Sequence, residues 1–141
     1  MKDDQWRYAF GDEDAFLDIR ARIERAGSRQ SLITYSDLVA GVEFRLPQVT
    51  EQPLVIDVHA WRDIDRIVVG EILGRISMES YRSHGFMASA LAVGQDGLPS
   101  LHFFKWMRKI GALRDRSEDA ELTFWSEQVR LAHAHYGGRT G

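Results

Sequence analysis

Ile33-Thr34-Tyr35-Ser36-Asp37-Leu38-Val39, Val69-Gly70-Glu71-Ile72-Leu73 and Ala88-Ser89-Ala90-Leu91-Ala92-Val93-Gly94-Gln95-Asp96-Gly97 are three segments of the stretch from Leu32 to Pro99 that sets the architecture. Ser31 to Val39 reads as a short entry strand or turn running into a helix. Thr34 or Ser36 caps that helix, and Leu38, Val39 and Val42 are buried. Pro47 and Pro53 bracket a loop, after which the β-rich run Leu54-Val55-Ile56-Asp57-Val58 reads as a strand. Asp63 caps a helix from Ile64 to Ser80, in which Ile64, Ile67, Val68, Ile72 and Ile76 recur at helical spacing. Gly70 and Gly74 lie four apart on one face of it. Glycine costs roughly 1 kcal/mol against alanine in a helix interior, so close packing of another backbone is the expected reason for the pair. Phe86 to Val93, small and apolar, reads as a buried strand closed by the turn Gln95-Asp96-Gly97.

Helices flank this stretch on both sides. From Asp14 to Ala26, Phe16, Ile19, Ile23 and Ala26 share one face. Asp12, Glu13 and Asp14 put negative charge at the helix start, and Gly27 offers a left-handed C-terminal cap. Pro99 and Ser100 open a helix to Ile110 rich in Phe103, Phe104, Trp106 and Met107, and Gly111 stops it. Ser117 or Asp115 caps the last helix, where Leu122, Trp125, Val129, Ala132 and Tyr136 form a stripe. The tail from Gly137 to Gly141 is expected to be loose.

A chain of 141 residues with 44% hydrophobic and 28% charged residues is expected to fold as one domain spanning 1–141. Within it, 12–26 is an N-terminal helix, 32–99 the core, 100–136 the C-terminal helices and 137–141 a flexible tail. The absence of cysteine excludes disulfides, thiolate metal sites and cysteine nucleophiles, and fits a reducing, cytoplasmic setting. No apolar run is long enough for a membrane helix, and Met1 to Gln5 contains no apolar signal core. The net charge of −3 means that any contact with nucleic acid must rest on a local basic patch.

Thr34-Tyr35, Val69-Gly70 and Val93 with Asp96-Gly97 occur in an order that resembles the alkyltransferase-like winged-helix DNA-binding domain. In that family a Thr-Tyr-Gly-x-Ile-Ala box opens a helix. A Val-Gly pair sits in the recognition helix, and a Pro-Cys-His-Arg-Val-Val strand leads to a turn ending in Gly. The resemblance implies a small winged-helix-like α+β (α/β) fold with few short strands, and a surface that meets DNA. It does not imply the chemistry. Ser89 stands at the reactive Cys position, Ala90 at its His and Leu91 at the following Arg, and a serine without a nearby base is a weak nucleophile. The family's Arg that enters the DNA stack falls on Ile67, with Arg66 beside it. The segment Ala88 to Val93, followed by Gly97-Leu98-Pro99 and an aromatic helix, also resembles a group of small bacterial proteins without an assigned activity.

The candidate nucleic-acid contacts are Tyr35, Arg75, Arg82, Lys105 and Arg108. Tyr35 sits at a helix start, where free N–H groups favour phosphate; the competing role is a half-buried tyrosine with its hydroxyl satisfied. Arg75, Tyr81, Arg82, Ser83 and His84 cluster near one helix end, and a cation beside a ring suits backbone contact plus base stacking. Lys105, Arg108 and Lys109, with Arg114 and Arg116 beyond, form the densest positive stretch. A homodimer through the C-terminal aromatic helices is a second expectation. A small hydrolase built on Asp57, His59 and Asp63 around one turn is a third. No Gly-rich phosphate loop, G-x-S-x-G elbow or H-E-x-x-H occurs, so no cofactor or metal is expected.

Overall fold

The computed structural model describes residues 7–47, 49–115 and 117–138. The expectations placed on Met1 to Gln5, on Arg116 and on the last three residues of the tail lie outside these. The chain is mostly helical, with a small two-stranded sheet. In order come α1 (Glu13–Ser28), β1 (Ile33–Thr34), α2 (Tyr35–Val39), α3 (Asp63–His84), a 3₁₀ turn (Ala88–Leu91), β2 (Ala92–Val93), α4 (Leu101–Lys109) and α5 (Glu118–Gly137).

Local chemistry explains most of the boundaries. The Asp12 side chain accepts the Ala15 N–H and starts α1. Thr34, rather than Ser36, caps α2 by accepting the Asp37 N–H at 3.1 Å. α3 begins at Asp63, one residue earlier than expected. Its cap is Arg62, whose N–H is bound at 2.8 Å by the buried Asp65 carboxylate. Ser117 caps α5 by accepting the Ala120 N–H.

β1 and β2 pair in parallel, with Ile33 opposite Ala92 and Thr34 opposite Val93. The run 54–58 does not form a strand. Leu54 makes a single antiparallel bridge with Phe44, and the chain then turns at Asp57, whose carboxylate accepts the His59 N–H.

The main core gathers Phe16, Ile19 and Ile23 of α1, Leu38 and Val39 of α2, Phe44 and Leu46, Ile72 and Ile76 of α3, with Phe86, Leu91 and Tyr136. A smaller cluster joins α4 to α5 around Phe103, Phe104 and Met107. The aromatic side chains of α4 thus face α5, with the Phe103 and Phe124 rings 6.3 Å apart.

The segment 88–91 lies where α1, α3 and α5 meet, and all four of its residues are buried. The burial expected of this run is found, but the strand expected over Phe86 to Val93 is reduced to Ala92 and Val93. Buried backbone polar groups need partners, and here side chains supply them. Gln128 accepts the Met87 N–H, Ser80 the Ala88 N–H and Ser77 the Ser89 N–H, while the Trp125 indole donates to the Ala90 carbonyl. With these bonds met locally, the segment coils into a 3₁₀ turn and pairs with β1 only at Ala92 and Val93.

Candidate nucleic-acid interface

α3 carries 22 residues over about 33 Å, and its two sides differ sharply. On the side facing α1, Arg75 is almost enclosed, its side chain 11% exposed. Its guanidinium lies 3.6 Å from the centre of the Phe16 ring and 4.5 Å from that of Phe10. It donates to Glu13 at 2.6 Å, to Glu79 at 3.0 Å and to the Ala9 carbonyl at 3.1 Å. Burial opposes the charge on Arg75, but the hydrogen bonds to Glu13 and Glu79 outweigh it and hold ionisation above the ordinary arginine range. The Arg75 hydrogen bond holds the Glu13 carboxyl below the usual carboxylate range.

Arg108, on α4, is also committed internally. It pairs with Glu121 of α5 at 2.8 Å and reaches the Asp115 carbonyl at 3.3 Å. Neither arginine can take a phosphate without giving up these partners. The Tyr35 hydroxyl accepts the Ser100 N–H at 2.9 Å, tying the start of α2 to the start of α4. It is the half-buried, satisfied tyrosine weighed against a phosphate contact.

The other two candidates face solvent. Arg82 near the end of α3 and Lys105 on α4 are exposed, and neither forms an ion pair among the described residues. Lys109 and Arg114 are exposed as well. The five candidates therefore do not converge on one surface: three hold elements together and two project outward.

Beyond the five candidates, α3 turns further residues outward, Tyr81 of the cluster at its end among them. Ile67 is 50% exposed and Tyr81 is 53% exposed. With the exposed Gly70 they follow helical spacing along one stripe, which crosses the buried Gly74 and the half-buried Met78, and Arg66 and Arg82 flank it. Gly70 corrects the expectation that another backbone packs there: among the described residues a Cβ at this position would meet nothing within 4 Å. Gly74, one turn on, is buried.

Gly27 is also corrected. It lies within α1, not at its cap, and a Cβ there would sit 2.9 Å from Cβ and Cγ of Tyr136. The left-handed residue that follows the helix is Gln30.

At the position of the family's reactive cysteine, the buried Ser89 hydroxyl lies 2.5 Å from that of Ser77. Its neighbour there is another hydroxyl, which offers no general base. Asp57, His59 and Asp63 are all exposed. Asp57 serves its turn and Asp63 pairs with Arg66 at 3.5 Å, so the proposed hydrolase residues lie on an open turn. Among the described residues no group of three or more His, Cys, Asp or Glu could hold a metal ion, and no helix is long and apolar enough to cross a membrane.

Comparison with known proteins finds no matching family model, no matching curated protein and no matching solved structure.

Proposed function

We propose that this chain is a non-catalytic, winged-helix-like nucleic-acid-binding or accessory domain of the cytosol, and that its contact surface is the outward stripe of α3. The observation that carries this reading is Gly70. A glycine inside a helix costs stability, and among the described residues no neighbour needs the space. Close approach from outside supplies a reason for it. Arg66 and Arg82 on either side of the stripe offer the cations that a phosphate backbone requires. The Arg66 pair with Asp63 is exposed on both sides, 55% and 100%, so exchanging that partner for a phosphate costs little.

The family resemblance lends support from a separate direction. Thr34 of the Thr-Tyr box is the register partner of Val93, which closes the matching strand. Tyr35 opens a helix, Val69 and Gly70 lie in a helix, and the turn after β2 passes through Gly97 in the left-handed conformation. The Thr-Tyr segment and the strand segment, far apart in sequence, thus meet. Two departures stand beside this. α2 has only five residues, and a long connection, 40–62, separates it from α3.

Fluorescence anisotropy with labelled duplex and single-stranded DNA, at low and near-physiological salt, tests the reading. Binding that weakens steeply with salt is expected, and Gly70→Gln should weaken it while leaving the melting temperature unharmed. No binding to either form at low salt overturns the proposal.

A second reading is a homodimer through the C-terminal helices. It is favoured by Leu98 and Leu101 at the entry to α4, 41% and 75% exposed. A monomer by sedimentation velocity at high concentration removes it.

A further inference from the structure

We propose that the nucleic acid held by this chain is single-stranded, with unpaired bases stacked on an aromatic ridge at the C-terminal end of α3. This rests on the nucleic-acid reading and narrows it to one class of ligand. The ridge is Tyr81, His84 and His135. Tyr81 and His84 are three residues apart on α3 and so stand side by side. The His84 ring meets His135 of α5 with centroids 4.0 Å apart and planes inclined by 34°. Phe86, buried beneath, backs both imidazoles at 6.1 and 5.3 Å. The two imidazoles are therefore held together over Phe86, and Tyr81, one turn before His84 on α3, is more than half open to solvent.

The charges around the ridge set how a strand would lie. Arg82 is exposed beside Tyr81. On the other side a shallow groove runs past His84 and His135, lined by Arg20, Glu24, Glu79 and Ser83. Arg20 lies 3.6 Å from Glu79, and with Glu24 beside them that side is net negative. Phosphates accordingly keep to the Arg82 side, and the uncharged bases turn toward the rings. From Tyr81 the outward stripe leads back along α3 to Gly70, about 16 Å away along the axis. That leaves room for the strand to pass over the open glycine and reach Arg66.

A duplex fits these features poorly. Its bases are stacked on one another and offer no free face to a ring. It also presents a phosphate charge roughly every 1.7 Å of axis, against a chain of net charge −3 with few free cations on this face. Unpaired bases expose their faces, and ring stacking is tolerant of sequence.

The test is anisotropy at low salt with labelled oligothymidylate and a hairpin duplex of matched length. Wild type, Tyr81→Ala, Tyr81→Trp and Arg82→Ala are compared, with thermal melts confirming that each is folded. Tighter binding of the single strand is expected, with a loss of about tenfold in Tyr81→Ala and retention in Tyr81→Trp. Equal or tighter duplex binding, or single-strand binding indifferent to Tyr81→Ala, overturns the ridge while leaving the nucleic-acid reading in place. Absence of binding to both probes overturns that reading as well.

Discussion

Gly27 on α1 and Gly70 on α3 are both glycines inside long helices, and their surroundings are opposite. The missing side chain at Gly27 is replaced by the Tyr136 ring of α5, whereas the space at Gly70 is empty. Arg75 and Arg82 repeat the contrast on α3 itself. One is stacked between rings and bound to two carboxylates, and the other projects into solvent. A residue type that reads alike in sequence therefore serves the fold on one side and faces solvent on the other. Substitutions at matched positions measure how complete that division is.

The largest effect should come from Arg75. Arg75→Ala removes charge-assisted hydrogen bonds and the packing of the guanidinium and its stem on Phe10 and Phe16. A loss of about 3 kcal/mol is expected by denaturant unfolding, against a change within about 0.5 kcal/mol for Arg82→Ala. An Arg75→Ala cost no larger than that of Arg82→Ala would erase the distinction between the two sides. The clamp also has a sign in pH. Because Arg75 lowers the Glu13 pKa, the contribution of the pair is fully present above the normal carboxylate range and is lost as pH falls through the lowered value. Glu13→Gln should therefore flatten the acid side of the stability profile.

Next is Gly27→Ala. The added methyl gains helix propensity of about 1 kcal/mol but collides with a ring fixed between α1 and α5, and overpacking of this kind costs up to about 3 kcal/mol. A net loss of about 2 kcal/mol is expected in a thermal melt. Tyr35→Phe is smaller. It leaves the partly buried Ser100 N–H without its acceptor, and a loss of about 1.5 kcal/mol should follow. If Tyr35→Phe leaves stability unchanged but weakens DNA binding, Tyr35 belongs with the outward residues after all.

Much of the scaffold was legible because it rests on local rules. The caps at Thr34 and Ser117, the apolar face of α1 and the spacing of Ile72 and Ile76 on α3 all follow from short-range chemistry. The strand expected over 54–58 was not realised, because β-rich composition does not supply a neighbouring strand; Leu54 finds only Phe44. The turn at 88–91 escaped notice for a related reason. Its partners are Ser77, Ser80, Trp125 and Gln128, and no periodicity reports that side chains from two helices will satisfy a buried backbone. The candidate site was less legible still. Charge and ring type marked Arg75, Arg82, Lys105, Arg108 and Tyr35 alike, but burial alone separates Arg75 and Arg108 from Arg82 and Lys105, and burial is a property of the assembled fold.

The smallest effect bears most directly on function, because it runs against the usual trade of stability for binding. Gly70 has helical backbone, with none of the positive φ that would forbid a side chain, and a Cβ meets nothing. Gly70→Ala should therefore stabilise the chain by about 1 kcal/mol and raise the melting temperature by about 3 °C for a domain of this size. Under the proposed function, glycine stands at this position because something must come closer than a methyl group permits. If Gly70→Ala raises the melting temperature and weakens binding to DNA, that something is the ligand. If it raises the melting temperature and binding is untouched, the glycine carries no weight in recognition, and the stripe on α3 loses the observation that singled it out.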